Sequence, residues 1–236
     1  MYNKRAGDFM IVPDYIERSK RKTLSLTVLK DGNIIVKAPI SMKDEVINRF
    51  VEEKQGWIRS KLAIFKENKT KFEDVIGFRQ FLLYGNRYTI LKSQVKTIET
   101  NDKFQILVPS KCEDSKVLKV VVAWYKKIAK QVLSDRFAFI ENRIRLKAST
   151  LKFSDSKGRW GSCNSFGTVH LNWRVIMLPP DIIDYVIVHE LCHLKELNHS
   201  KEFWMLVKKF LPEYEKQKKA IKEYGFLLGM YEKRPQ

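Results

Sequence analysis

The chain has 236 residues, 44% hydrophobic and 31% charged, which suits one large or two small folded domains and excludes a disordered polyelectrolyte. No apolar run approaches the roughly 20 residues that span a bilayer, and the opening MYNKRAGDFMIVPDYIERSK has neither an apolar core nor a small-residue cleavage site, so no membrane partner and a cytoplasmic location are expected. The net charge of +18 favours nonspecific contact with nucleic acid, but RSKRK at 18–22 is the one tight run and a basic, solvated surface is the simpler reading.

In chain order, TLSLTVL (23–29) and IIVKAP (34–39) alternate on either side of Asp31-Gly32 and predict a hairpin. Ser41 with Asp44 resembles a capping box. It opens a stretch in which Val46, Ile47, Phe50, Val51, Trp57, Ile58 and Leu62 recur at helical spacing. Gly56 bends or divides that stretch, which ends before Lys69. FLLYGNRYTILKS (81–93) predicts a hairpin about Gly85-Asn86, and QVKTIET (94–100) pairs with KFQILVP (103–109). Residues 113–146 carry no Gly or Pro and keep an apolar period near 3.6, a long amphipathic helix with Ser134 as its candidate break. TLKFSDS (150–156) and GTVHLNWRVIML (167–178) predict strands joined by a KGRWGSCNSF loop. Pro179 and Pro180 then end the second strand, and Asp181 opens a further helix. No Ser/Gly-rich linker interrupts the chain. The change in character near residue 110 separates a strand-rich region with one helical segment, 1–110, from the remainder, 111–236.

Cys112, Cys163 and Cys192 are an odd number, far apart, with no CxxC pair, which disfavours a disulfide framework or a cysteine zinc site. The informative stretch is VIVHELCHLKELNHSKEFW (186–204), with three of the four histidines in the chain. Helical residues advance about 100° each, so positions four apart share a face, and His189 and His193 can aim at one point. Glu190 lies beside them, angled towards an open coordination position, where a general base takes a proton from metal-activated water. His199 would point away if the helix continued. Asn198 suits a left-handed turn and Ser200 suits an N-cap, so a helix–turn–helix would swing His199 back. Three imidazoles with one open position are the arrangement of catalytic zinc. The bland alternative is a helix with idle, exposed histidines. Against it, Val186–Val188 mark a buried helix, where histidines and a glutamate need partners.

HELCHLKELNHSKEFW, preceded by RWGSCNSFGTVHLNWRVIMLPPDIIDYVIV, resembles the YgjP-like family of metal-dependent hydrolases. These are small zincin-type metallopeptidases similar to the SprT-like group. The likeness covers nearly the whole chain, includes RSKRKTLSLTV near the start, and is strongest from Arg159 to Trp204. It implies zinc held by His189, His193 and His199, with Glu190 as the catalytic glutamate, and assigns no role to His170. The expected fold is α+β, a strand-rich N-terminal part packed with a compact zincin-type C-terminal part made of the HExxH helix and a small sheet.

In zincins a strand above the active-site helix can pair with an extended substrate, and RWGSC…HLNWRVI is the candidate. Its alternation would put His170, Asn172 and Arg174 on one face and Leu171, Trp173 and Val175 on the other. Asn172 could orient a substrate carbonyl or cap a loop. Arg159 and Arg174 could bind a substrate carboxylate or phosphate, or form plain salt bridges. Tyr185 shares the stripe of His189. Cys192 reads as a packed thiol, Cys163 as a thiol near the cleft, and Phe203 and Trp204 as packing over the zinc helix. The leading functional expectation is a zinc-dependent hydrolase acting on a peptide or protein. Two alternatives stand beside it. One is a metal-dependent nucleotide phosphoanhydride hydrolase. The other is a nucleic-acid-binding protein with structural zinc, which lacks a nearby cysteine to close the fourth position.

Overall fold

The computed structural model describes residues 10–29, 32–77, 80–228 and 230, and the chain falls into two units, Met1–Phe72 and Glu73–Gln236. The class is α+β, as expected. The first nine residues, and Lys30 and Asp31 of the anticipated hairpin turn, lie outside the described residues.

In the first unit, β2 (Ser25–Val28) and β3 (Ile34–Pro39) form the expected antiparallel hairpin, with Val28 opposite Ile34. A strand the sequence did not signal, β1 (Tyr15–Ser19), lies parallel to the other edge of β3. It is exposed throughout, so it shows no apolar alternation. Asp14 fixes its start: its amide donates to the Ile34 carbonyl at 2.9 Å, and its carboxylate accepts from the Ile34 amide at 2.6 Å. The helical stretch is two helices, α1 (Asp44–Glu53) and α2 (Gln55–Lys71), divided at Lys54, two residues before Gly56. Ser41 is not the cap. Lys43 takes that position without a side-chain hydrogen bond, and α2 runs past the expected end to Lys71. Ile34, Val36 and Ala38 of β3 pack with Ile47 and Val51 of α1 and Ile58 of α2 as the core.

The second unit begins with the single turn α3 (Glu73–Ile76), followed by β4 (Phe81–Leu83), β5 (Asn86–Ser93), β6 (Glu99–Thr100) and β7 (Gln105–Pro109), in sheet order β4-β5-β7-β6. Both expected pairings occur. The first turn is Tyr84-Gly85, one residue earlier than expected. Both residues are left-handed, with φ of 51° and 78°, as a two-residue hairpin turn requires. Their amides donate to the Ile176 and Met177 carbonyls at 2.9 and 3.1 Å, which holds Tyr84 in a conformation it would otherwise avoid.

The long helix α4 (Asp114–Ile144) is unbroken, and Ser134 returns its hydroxyl to the Lys130 carbonyl at 2.6 Å. Its buried stripe, Val121, Tyr125, Ala129, Leu133, Phe137, Ile140 and Ile144, keeps the three-and-four spacing of a core-facing helix. Next come β8 (Thr150–Ser154), β9 (Gly161–Cys163) and β10 (Thr168–Asn172), in order β8-β10-β9. The anticipated loop therefore contains the short strand β9, antiparallel to β10. The strand expected to reach Leu178 stops at Asn172. Trp173–Met177 is a 3-10 helix whose first turn is capped by the Asn172 side chain, accepting from the Arg174 amide at 3.0 Å. Arg174 and Val175 thus do not extend the alternation of β10. Helix α5 (Pro180–Cys192) packs on α4, where Arg136 Nε donates to Asp184 Oδ1 at 2.6 Å. The last elements among the described residues are α6 (Lys201–Phe210), α7 (Tyr214–Ala220) and a 3-10 turn, Ile221–Leu227. No helix among the described residues is long and apolar enough to cross a membrane.

Candidate metal centre

Helix α5 starts with Pro180 in its first turn, where a missing N–H costs nothing. It is buried over Ile182, Ile183 and Tyr185–Val188. It ends at Cys192, with His193 as a cap that keeps helical backbone angles, φ −64° and ψ −15°. His189 and His193 therefore retain their four-residue relationship. The path to His199 differs from expectation. The helix stops earlier, the Lys195 and Glu196 amides fold back onto the Cys192 carbonyl at 3.0 and 3.1 Å, and Asn198 is not left-handed. Ser200 caps α6 as anticipated, accepting from the Phe203 amide at 3.3 Å. His199 is returned to the others: its Nε2 lies 3.0 Å from Nε2 of His189, and one donor atom from each of the three histidines falls within 4.8 Å of the other two.

These residues fit a divalent ion. Two nitrogens bound at 2.0–2.1 Å to one tetrahedral ion stand about 3.3 Å apart, within a few tenths of the His189–His199 spacing. The Nδ1 of His193 lies 2.9 Å from the Glu196 carbonyl. A carbonyl only accepts, so Nδ1 carries the proton and Nε2 keeps its lone pair. Burial, and then the charges of His193, His199 and Lys218, lower the His189 pKa to about 3, so this ring is a neutral donor. The His199 pKa is also lowered by burial, His193 and Lys218. Nδ1 of His189 is buried without a hydrogen-bond partner among the described residues.

Glu190 is 6% exposed. Burial raises its pKa to about 8, opposed by the charge of Arg159. The backbone of β9 lies directly against it: a Cβ built on Gly161 would meet Glu190 Cγ and Oε1 at 2.6 Å. Arg159, Gly161, His189 and Glu190 line two adjoining clefts. One, of about 240 Å³, extends towards Tyr185 and Ile221, and the other, of about 350 Å³, extends towards Cys163, Leu197 and His199.

The chain matches the YgjP-like family over residues 22–224, the family described as YgjP-like, metallopeptidase domain. It belongs to the YgjP-like metallopeptidase family. Membership brings a metal-dependent hydrolase domain, and the three histidines stand close enough together to hold one ion. The crystal structure of the metallopeptidase zymogen of Pyrococcus abyssi abylysin is similar, at 22% identity and a TM-score of 0.37, over 39% of this chain and 94% of that one. A comparison with curated proteins finds no match.

The remaining residues singled out in this YgjP-like sequence separate by position. Arg159 lines both clefts beside Glu190. Asn172 and Arg174 do not. Asn172 is fully buried and donates to the Ser156 and Arg159 carbonyls at 2.7 and 3.2 Å. Arg174, 1% exposed, pairs with Asp155 and donates to the Met230 carbonyl. Asn172 thereby holds the backbone at Arg159, and Arg174 ties its 3-10 turn to Asp155 and Met230. Tyr185 stacks obliquely 5.8 Å from His189, with its hydroxyl raised to about 12 by burial and the charges of Tyr214 and Glu190. Cys192 is fully buried, and burial raises its thiol to about 12. Cys163 lines the wider cleft, and its thiol is raised by burial and by Glu190, which works against a reactive thiolate. Phe203 packs on the histidine cluster as expected, stacked 4.4 Å from His193. Gly161 was passed over in the sequence, although a glycine inside a short strand is a signal of close backbone approach.

Proposed function

We propose that this chain is a zinc-dependent peptidase in which His189, His193 and His199 hold the ion and Glu190 is the general base. One observation carries the reading. Three imidazoles converge with no fourth side-chain donor in their cluster among the described residues, and a buried carboxylate stands next to them. The open fourth position argues against a structural ion. When bound, zinc supplies Lewis acidity, lowering the pKa of water towards about 7 and polarising a carbonyl. Glu190 accepts the proton of the attacking water and delivers it to the leaving amine. β9 is an edge strand of its sheet. An extended substrate pairs with that edge through main-chain hydrogen bonds, beside Glu190. Arg159, at the entrance to β9, orients a substrate carbonyl or carboxylate.

Glu190→Gln tests this. Hydrolysis of a casein-like substrate by the zinc-loaded variant falls by about 10²–10⁴-fold, with metal content unchanged. A fully active Gln variant refutes the assignment. Pyrophosphate release from nucleotides without peptide cleavage would instead select the phosphoanhydride substrate.

A further inference from the structure

A depression of about 500 Å³ opens next to the metal centre. It shares His193 and Leu197 with the wider cleft at Glu190, so it continues the space in which a scissile bond would lie. Its walls come from the segment after α4, the β9–β10 turn and the segment after α5. Arg145, Lys147 and Lys195 stand on those walls, and none of its lining residues is acidic. Among the described residues, none of the three cations has an ion-pair partner. Glu141, in the last turns of α4, is engaged by the Ala148 amide at 2.6 Å.

We infer that this depression is a subsite for a carboxylate carried by the substrate, with Arg145, Lys147 and Lys195 as its cations. The inference rests on the peptidase reading and deepens it. Two features distinguish the depression from a chance cluster of surface charge. Arg145 caps α4 with φ of 57°, a left-handed position where glycine is the usual occupant and a larger residue is strained. The β9–β10 turn is also firmly built. The Asn164 side chain accepts from the Phe166 and Thr168 amides at 3.1 and 2.9 Å, and a Cβ at Gly167 would collide with Ser149 Oγ at 2.7 Å. That turn holds Phe166 on the wall, 83% exposed, with Leu197 of the same depression 57% exposed. Apolar groups beside unpaired cations suit a glutamate, whose methylenes meet Phe166 and Leu197 while its carboxylate meets the guanidinium and ammonium groups. A free C-terminal carboxylate has the same charge chemistry.

The test uses the zinc-loaded full chain and peptides in which one position at a time carries Glu or Gln, each made as the free acid and as the C-terminal amide. At one position kcat/KM for the Glu peptide exceeds that for the Gln peptide by about tenfold, the sum expected of a few exposed ion pairs, and the ratio shrinks at high salt. In Arg145→Gly and in Lys195→Gln it falls to within about threefold of unity. Arg145→Gly relieves the left-handed backbone, so its Tm is not lowered and misfolding cannot account for the change. A preference for every free acid over its amide, whatever the scanned residue, assigns the carboxylate to the chain terminus. No acidic preference at any position overturns the inference, as does a preference that both variants retain. Competition by a single-stranded oligonucleotide without acidic preference overturns it as well and gives the cations to phosphates. If the wild type cuts no peptide, the peptidase reading fails. The subsite is then read by fluorescence anisotropy of labelled Glu and Gln peptides on the same protein, and equal affinity overturns it.

Discussion

Gly161→Ala puts the contact between β9 and Glu190 to a direct test. The added methyl would lie 2.6 Å from Glu190 Cγ and Oε1 and 2.7 Å from Cδ. Ordinary contact begins at 3.4 Å, so the carboxylate must retreat by nearly 1 Å. Glu190 is 6% exposed but borders two clefts, so its carboxylate is pushed towards that space and out of its observed position, and the three nearest atoms to the new methyl all belong to Glu190. Overpacking of this kind costs about 1–3 kcal/mol, or a fall in Tm of about 5 °C for a chain of this size. Displacing a reacting group by about 1 Å costs on the order of 10²-fold in rate. None of the three atoms nearest the methyl belongs to an imidazole. The expected result is a loss of about 100-fold in kcat/KM, with unchanged zinc content by elemental analysis. An alanine variant with near-normal kcat/KM and unaltered Tm refutes the close approach. Loss of metal together with activity refutes the claim that Gly161 acts on the carboxylate alone.

Asp155 ties stability to acid. Burial works to raise its pKa, but hydrogen bonds from Lys126, Trp173 and Arg174 outweigh burial and hold it at about 2 instead of 3.8. A depressed carboxylate contributes stability above its unfolded value, near pH 4, and loses that contribution as pH falls towards 2. Asp155→Asn therefore flattens the fall of the urea midpoint between pH 4 and 2, and an identical fall in both proteins contradicts the linkage. Ser200→Ala removes the cap of α6 and lowers stability by about 1 kcal/mol. Because His199 immediately precedes that cap, zinc affinity measured against a chromophoric chelator weakens too, whereas unchanged affinity would separate the cap from the ligand.

What could be read from the sequence follows from the range of each interaction. The α4 stripe and the pairing of His189 with His193 depend on spacing along one helix, and both are visible in the residues. Strand β1 is exposed on both faces and leaves no alternation to find. Residues 173–178, WRVIML, are apolar except for Arg174, a pattern equally compatible with a strand and with the buried 3-10 turn that forms there. Asn172 and Arg174 look like substrate contacts because their partners are far along the chain: Ser156, Arg159, Asp155 and the Met230 carbonyl. The return of His199 is expected from a left-handed turn at Asn198 and a cap at Ser200, of which only the cap forms. The turn itself takes another route because Cys192 accepts two amides and ends α5 early.

The placement of His199 also depends on chemistry beyond its own turn. This ring is exposed, so burial does not orient it as it orients His193. Trp204 stacks on it at 5.5 Å with an interplanar angle of 23°, and Tyr214 of α7 stacks on Trp204 at 5.3 Å and 16°. Lys218 lies 3.4 Å over the Trp204 ring, a cation–π contact that anchors the same indole. The stack links α6 and α7 to the third imidazole and limits its rotation before an ion arrives. Burial first, with the neighbouring imidazoles and Lys218 adding to it, opposes protonation of His189 and His199, which favours the free lone pairs that a metal needs. With two of these imidazoles on a buried helix and the third on an exposed turn, the cluster is thus preorganised from both sides. The helix sets the spacing of the first two imidazoles, and the aromatic stack holds the third against them.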